Sequence, residues 1–238
     1  MATSYPGALD AFTNPVGTDT QAAVDHAAQH TNANDAIEAI EAELGLDPAG
    51  TYATVKARLD DIEDTVWTAA QLGFLDWNYD VQYIQAGTAL GANGTVYVQK
   101  LWTPKPITVT NLHVQVITAG ATLTSGQNFA ALYDGSKNLV GTTADQSTAW
   151  TSVGTKTMAL SGGPFAISAN SFYYVAYFAN GTTRPSFGRL GSNLGGMNGL
   201  LSSANSRFAS SSTGRTTSMP ATLGAFTATN LAYWCAVS

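Results

Sequence analysis

Within residues 54–71, apolar side chains recur in alternating steps of four and three positions. They fall at Val55, Leu59, Ile62, Val66 and Ala69, which is the a/d spacing of a heptad repeat. Charged residues occupy most of the remaining surface of this predicted helix. Because an isolated helix of this length is marginal in water, the stripe requires a partner, either another helix of the chain or copies of itself. We favour copies of itself.

A second stripe with the same spacing precedes the first one. Its members are His26, His30, Ala33, Ile37, Ile40 and Leu44. Isoleucine at both an a and a d position favours a trimer. A capping box at residues 18–21 predicts the helix start, with Asn32 or Asn34 as alternative starts. Gly45 and Asp47-Pro48 predict its end. The two stripes are out of register by one residue, so the pattern predicts two helices.

His26 and His30 have the spacing of two metal ligands on one face of a helix. No third ligand of the same kind lies near them in the sequence. We therefore expect both histidines to pack along the trimer seam, and we expect neither a metal site nor a cofactor.

From Asp76 onward the pattern changes to alternation with a period of two, interrupted by turn residues. About nine short strands without intervening helices predict an antiparallel β-sandwich of the jelly-roll type. The predicted strands are Val81–Ile84, Val96–Val98, Ile107–Val109, Leu112–Val116, Phe129–Tyr133, Lys137–Val140, Thr155–Leu160, Phe165–Ser168, Ser171–Phe178 and Leu231–Val237. The fold class is therefore α+β.

Three features of this region predict its arrangement. Asp134-Gly135 indicates a hairpin, and a switch of parity near Thr110-Asn111 indicates a bulge or corner. Residues 171–178 are apolar on both faces, which predicts a central strand covered by a second sheet and by a neighbouring subunit. Residues 186–225 are rich in Gly and Ser. They predict a long loop that wraps a neighbouring subunit or shapes the outer surface, unless they contain strands without a clear pattern.

The chain thus divides into four segments. Residues 1–17 form an extended anchoring arm that docks through Tyr5, Leu9 and Phe12, although a frayed terminus is an alternative. Residues 18–50 form the first helix and a loop. Residues 51–75 contain the trimerising helix, and residues 76–238 form the head domain.

Charge is distributed unevenly along the 238 residues. Residues 1–80 contain fourteen of the sixteen acids and only two bases, whereas residues 81–238 contain two acids and eight bases. The acidic net charge and the scattered bases argue against a nucleic-acid partner. A single cysteine excludes an intrachain disulfide. We see no signal peptide and no apolar run long enough for membrane insertion, and we expect a protein made in a cytoplasm without an export signal.

The sequence contains little that indicates catalysis, and we expect no enzyme. The common nucleophile, phosphate-binding and metalloprotease motifs are missing. A glycosidase needs two close carboxyl groups; Asp76 and Asp80 at the start of the head are the remaining candidates, as a pair between subunits. We expect His113 to face solvent from a strand and Cys235 to pack in the core.

Aromatic and polar residues near predicted turns suggest a sugar-binding face instead. The candidates are Trp102, Trp150, Arg184, Arg189, Arg207 and Arg215, with Tyr133, Asn93 and Asn180 beside them. The alternative is that the tryptophans fill the core.

The first seventy residues resemble the N-terminal module of actinobacteriophage virion proteins, a group of minor tail proteins, tail fibres and head fibres. The resemblance lies in SYPGALDAFTNP, DHAAQHTNANDAIEAIEAELG and GTYATVKARLDDIE. The second half, with GQNFAALYDGSKNLVGTTAD and SFYYVAYFANG, is similar to the β-sandwich tips of such fibres.

This resemblance implies a homotrimeric fibre or spike on the virion surface. Its N-terminal region would attach it to tail or capsid proteins, with residues 18–50 as the segment for virion attachment. Its head would bind host cell-surface glycans. A capsid decoration protein, a polysaccharide-degrading tail spike and a monomeric sugar-binding module are the alternatives.

Overall fold

The computed structural model describes residues 26–65, 67–190 and 205–238. Residue contacts divide the chain between Val66 and Trp67. We call residues 26–65 the helical segment and residues 67–238 the head domain. The predicted arm with Tyr5, Leu9 and Phe12, the capping box, and the seam residue Val66 lie outside the described residues.

The first helix, α1, spans His26–Leu44. It ends where the sequence predicts, because Gly45 follows it with a φ of 73°, a left-handed conformation that favours glycine. The amide of Gly45 donates a hydrogen bond of 2.9 Å to the carbonyl oxygen of Glu41, which satisfies one of the free carbonyls at the helix end.

The second helix, α2, spans Val55–Thr65. Thr54 caps its start, since its Oγ1 accepts a hydrogen bond of 3.0 Å from the amide of Ala57. The helix is shorter than the predicted segment 51–75. A 3-10 helix at Ala69–Leu72 follows it within the head domain, so the head begins earlier than the predicted boundary at residue 76. The prediction that Ala69 continues the heptad stripe is wrong, because Ala69 is buried in this 3-10 helix.

The predicted seam residues of both helices remain substantially exposed in the single chain. Ile37, Ile40, Leu44, Leu59 and Ile62 have exposed fractions between 44% and 54%. Val55 is half-buried and His30 is exposed, whereas the side chain of His26 is not among those described. The packing of this seam on sister chains stays a prediction.

The head domain is built from antiparallel strands, which together with the two helices gives an α+β protein. Sixteen strands lie in the described residues: β1 (Asp76–Trp77), β2 (Ala86–Ala89), β3 (Tyr97–Thr103), β4 (Ile107–Val109), β5 (Asn111–Thr118), β6 (Ala121–Leu123), β7 (Phe129–Tyr133), β8 (Leu139–Thr143), β9 (Gly154–Ser161), β10 (Phe165–Ile167), β11 (Ser171–Phe178), β12 (Gly181–Thr183), β13 (Ser186–Arg189), β14 (Phe208–Ser210), β15 (Thr227–Ala228) and β16 (Cys235–Val237). The main sheet has the order β1-β16-β5-β9-β8-β7-β11-β3-β14-β15, with β13 and β2 attached beside β5.

One apolar cluster fills the interior of the head. The strands β5, β9 and β16 supply one part of it, including Val114, Met158 and Cys235, and the strands β3, β7 and β11 supply the other, including Leu132 and Val175. The burial of Cys235 confirms its predicted place in the core.

The central strand β11 confirms the prediction of burial on both faces. It lies between β3 and β7. Its inward residues join the interior cluster, whereas Tyr174, Ala176 and Phe178 pack in a second cluster with Met219, Leu223 and Phe226. The prediction of a neighbouring subunit on this outer face is therefore wrong, because the same chain covers it.

The segment that covers the outer face, residues 211–226, is called the cover segment below. It starts beside β3, where the amide of Ser211 donates to the carbonyl oxygen of Val96 at 2.9 Å, and it reaches the hairpin of β7 and β8, where the amide of Leu223 donates to Lys137 at 3.0 Å. The predicted long loop at residues 186–225 thus contains the strands β13 and β14 and a segment packed on its own subunit.

Some local predictions are confirmed. The hairpin at Asp134 joins β7 to β8, and the Asp134 carboxylate accepts a hydrogen bond of 2.8 Å from the amide of Asn138. The predicted corner separates β4, which pairs with β10, from β5, which pairs with β9 and β16.

Other local predictions are wrong. Residues 81–83 form a 3-10 helix instead of a strand, because the Asp80 carboxylate caps the amide of Gln82 at 2.9 Å. The last strand is shorter than predicted and begins at Cys235. The prediction that His113 faces solvent is also wrong. His113 is only 6% exposed, because the ring of Phe74 covers it, with the two ring centroids 4.9 Å apart. This burial lowers the pKa of His113.

The assigned core predicts that two phenylalanines contribute very differently to the stability of the head. Phe187 is fully buried, and its ring centroid lies 5.1 Å from that of Trp150 and 5.2 Å from that of Tyr177. We expect Phe187→Ala to lower the free energy of unfolding by about 3–5 kcal/mol. The matched control, Phe172→Ala, removes a half-exposed ring and should cost about 1 kcal/mol or less. Urea unfolding followed by tryptophan fluorescence measures both, and similar losses would contradict the assigned core.

Candidate functional site

The outer face of the main sheet stays open beyond the end of the cover segment. Phe172 of β11 lies opposite Trp102 of β3, and the two side chains are 50% and 46% exposed. Strand alternation places them on the same face as the buried Tyr174. The outer face of β11 is therefore buried along most of the strand but open to solvent at its N-terminal end, near Phe172.

Two cations lie beside these rings. Lys100 follows the same alternation as Trp102 along β3. Its amide donates a hydrogen bond of 2.8 Å to the carbonyl oxygen of Arg207, so that Arg207, just before β14, lies next to it. The Lys100 Nζ atom is 4.0 Å from the ring centroid of Phe172, a distance typical of a cation–π contact.

Together these side chains line a cleft of about 420 Å³. Its main side chains are Trp77, Lys100, Trp102, Phe172, Asn205 and Arg207. The volume lies within the range of small-molecule sites in proteins. With Asn78 and Leu101, the described lining contains three aromatic residues, two amides, two cations and one leucine, and no carboxylate.

Asn78 fixes one wall of the cleft. Its Nδ2 donates to the carbonyl oxygen of Tyr233 at 2.7 Å, and its Oδ1 accepts from the amide of Cys235 at 3.1 Å. Trp77 pairs with Ala236 across β1 and β16. Because the Asn78 side chain is used in these bonds, it acts as a support of the wall.

Two cationic side chains, Lys100 and Arg207, line the cleft. Burial lowers the pKa of Lys100, and the nearby positive charge of Lys137 lowers it further. Such an arrangement offers flat apolar surfaces for stacking and hydrogen-bond donors for an acceptor or an anion. It is suited to binding a small polar ligand that also has an apolar face.

Of the residues predicted from the sequence to face a ligand, the structure brings together Trp102 and Arg207. Trp150 is fully buried, and its ring packs edge-on against Phe187. The ligand-facing assignment of Trp150 is therefore wrong, and the alternative that the tryptophans fill the core is confirmed for this residue, because the short helix at Ala149–Thr151 turns its side chain inward.

The other three arginines bond to nearby groups of their own chain. Arg184 donates to the carbonyl oxygen of Leu90 at 2.7 Å, and Arg215 donates to that of Ser218 at 2.9 Å. Arg189 donates to the hydroxyl of Thr88. Each of them stabilises a local turn or strand pair, and none lines the cleft.

The predicted polar neighbours also have structural roles. Asn93 accepts hydrogen bonds from Arg184 at 2.8 Å and from the amide of Gly181 at 3.2 Å. Asn180 donates to the carbonyl oxygen of Arg215 at 2.7 Å. Tyr133 is buried and donates to Pro220 at 2.8 Å.

Sequence reasoning missed Trp77, Lys100 and Phe172. The signal for two of them was present, because Lys100 and Trp102 continue the alternation of Val96 and Val98, and Phe172 begins the central strand. The predicted strand ended too early at Val98, so these positions were not placed on a common face.

The two carboxyl groups at the start of the head have structural partners. Asp76 accepts hydrogen bonds from the hydroxyl of Tyr173 at 2.7 Å and from the amide of Trp77 at 2.8 Å. Asp80 caps the 3-10 helix at Val81–Tyr83 and also accepts from the side chain of Gln82 at 3.0 Å.

No model of a known protein family matches this sequence, and no curated protein is significantly similar to it. Within the described residues, neither helix has the length and apolarity needed to cross a membrane. The same residues contain no cluster of three or more His, Cys, Asp or Glu side chains arranged to hold a metal ion.

Asp76 and Asp145 should affect the pH dependence of stability with opposite signs. Burial raises the pKa of Asp76 despite its two hydrogen bonds. At Asp145 burial by itself raises the pKa, but hydrogen bonds from Ser147, Gly126 and Asn128 outweigh it, and the pKa of Asp145 is lowered. An unfolded aspartate titrates near pH ~3.9. The contribution of Asp76 is therefore fully present below about pH 4 and is lost as the pH rises through its folded pKa, whereas that of Asp145 is present above about pH 4 and is lost on acidification.

Urea unfolding of the variants Asp76→Asn and Asp145→Asn between about pH 2 and pH 7 tests this expectation. The difference in unfolding free energy between wild type and Asp76→Asn should fall as the pH rises above about 4. For Asp145→Asn the difference should increase as the pH rises towards about 4. The same sign for both variants would contradict the assigned environments.

Proposed function

We propose that the protein is a bacteriophage virion structural protein, a homotrimeric fibre or spike on the virion surface. The N-terminal region attaches it to other virion proteins of the tail or the capsid. The helical segment trimerises it, and the projecting head binds host cell-surface glycans. Its partners are thus its own copies, virion proteins and glycans, without nucleic acid or membrane insertion.

The exposed seam is the observation that carries this proposal. Ile37 and Leu59 are each 54% exposed, and the seam positions repeat with heptad spacing along both helices. Full burial of an exposed Leu or Ile side chain stabilises a protein by about 1.5–3 kcal/mol, and these half-exposed side chains retain roughly half of that gain. Parallel sister helices offer matching surfaces. Isoleucine at both an a and a d position of α1 favours three copies.

The head suits a projecting role. Two groups of strands share the interior cluster, which supports a β-sandwich of the jelly-roll type. The cleft at Trp102 lies open on its surface and supplies rings and donors of the kind that bind sugars. The resemblance of the first seventy residues to virion proteins of actinobacteriophages supports the location on a virion.

Disruption of the seam should abolish the trimer. We expect Ile40→Asp to give monomers, because a carboxylate at an a or d position must be buried without a partner when the helices associate. The matched control is Ala42→Asp, which introduces the same side chain at an exposed position of α1 away from the seam. It should remain trimeric. Sedimentation equilibrium of the full chain gives the masses.

A monomeric wild type would contradict the trimer and would favour the alternative of a monomeric sugar-binding module. A change of mass in the Ala42→Asp variant equal to that in Ile40→Asp would also contradict the assigned seam.

Immunogold electron microscopy of intact phage particles tests the location. Antibodies against the full chain should label the outside of the particle. Label at the tail supports a fibre with a receptor role, and label spread over the capsid supports a decoration protein. Particles that stay unlabelled, while the free protein is recognised, would contradict a virion surface protein.

A further inference from the structure

We infer that the head domain has a contact surface of its own for sister copies, at residues 67–75, which connect the end of the helical segment to β1. We call these residues the lead-in. The inference rests on the proposed trimer, since it names a second surface through which the same copies meet. It adds the residues of the head that take part and the partner that covers them.

Three large apolar side chains of the lead-in are open to solvent in the single chain. Trp67 is 60% exposed, Leu72 is 40% exposed and Leu75 is 45% exposed. No residue of the lead-in carries a charge, whereas residues 56–64 just before it include six charged residues. The centres of protein interfaces are depleted of charged residues and enriched in aromatic ones. The lead-in thus has the composition of an interface centre.

The lead-in is attached firmly to the head, so that its exposed side chains have defined positions. Ala69 is buried. The ring of Phe74 packs edge-on against that of Trp234, with ring centroids 5.6 Å apart, and the amide of Leu75 donates a hydrogen bond of 2.8 Å to the carbonyl oxygen of Val237. A surface that is ordered before binding loses little conformational entropy when a partner covers it.

Chain continuity makes sister copies the partner of this surface. Helix α2 ends at Thr65, and Trp67 follows two residues later, a step of at most about 7 Å along the chain. Helices that pack along a seam lie about 8–10 Å apart. When the seam brings three α2 helices together, it therefore holds three copies of Trp67 close to one axis, at a high effective concentration. Another virion protein lacks this covalent tether.

Thiol cross-linking of the full chain tests the inference. Cys235 is the only cysteine and is fully buried, so that a cysteine introduced on the surface reacts alone. We expect Leu72→Cys, treated with bismaleimidoethane, to give covalent dimers on a denaturing gel, because this short linker joins only thiols that lie close together. The matched control is Val153→Cys, which places a thiol at an exposed position of the head outside the lead-in. It should give monomers on the gel.

A truncation measures how much the lead-in contributes to the trimer. We expect Trp67→Ala to raise the concentration at which half of the trimer dissociates by about tenfold or more, since tryptophans at interface centres are typical hot spots. The control Val153→Ala removes a side chain that is 63% exposed and should leave this concentration unchanged. Sedimentation equilibrium over a range of concentrations gives the values, and urea unfolding checks that both variants fold.

Two results would overturn the inference and leave the proposed trimer intact. They are a trimeric wild type in which Leu72→Cys cross-links no more than Val153→Cys, and unchanged dissociation of the Trp67→Ala trimer. Cross-linking of Leu72→Cys to another virion protein in phage particles, without dimers, would also reject sister copies as the partner. A monomeric wild type would instead reject the proposed trimer, and the inference with it.

Discussion

The head domain depends on the burial of β11 on both faces. Tyr173, Val175 and Tyr177 point into the interior cluster, and Tyr174, Ala176 and Phe178 point outward. A strand that is apolar on both faces is stable only when two separate layers cover it. The interior layer comes from the other group of strands, and the outer layer comes from residues that are distant in the sequence.

The outer layer is attached to the sheet through its backbone. The cover segment bonds to Val96 beside β3 and to the hairpin of β7 and β8 through backbone groups. Three apolar side chains, Met219, Leu223 and Phe226, are enough to fill the second cluster. Phe226 packs edge-on against Tyr174 with ring centroids 5.5 Å apart, and beyond this contact Phe172 is left open. The extent of the cover segment thus determines where the cleft lies.

The sequence alone predicted the structural features that depend on residues close together in the chain. Helix α1 and its glycine stop, the hairpin at Asp134 and the two-sided burial of β11 follow from local spacing and turn chemistry. Features that depend on distant contacts were missed. His113 alternates with core residues as a solvent-facing residue would, but Phe74 covers it. For Trp150 the sequence left a ligand-facing and a core position open, and its ring packs against Phe187 in the core. Only the fold shows which residue lies above a given side chain.

The partners of the head's cations explain how a domain with so few acids remains folded. Arg184 and Arg215 donate to backbone carbonyl groups, which accept without carrying a charge. Lys137 lies 3.9 Å from the ring centroid of Phe226, and Arg207 lies 5.4 Å from that of Phe208. Rings and carbonyl oxygens thus take the place of carboxylates, and they stabilise a cation without neutralising it. At Lys137 the cation lies over Phe226, a ring that is buried in the second cluster. At Lys100 the ring beneath the cation is Phe172, which is half exposed because the cover segment does not reach this end of β11.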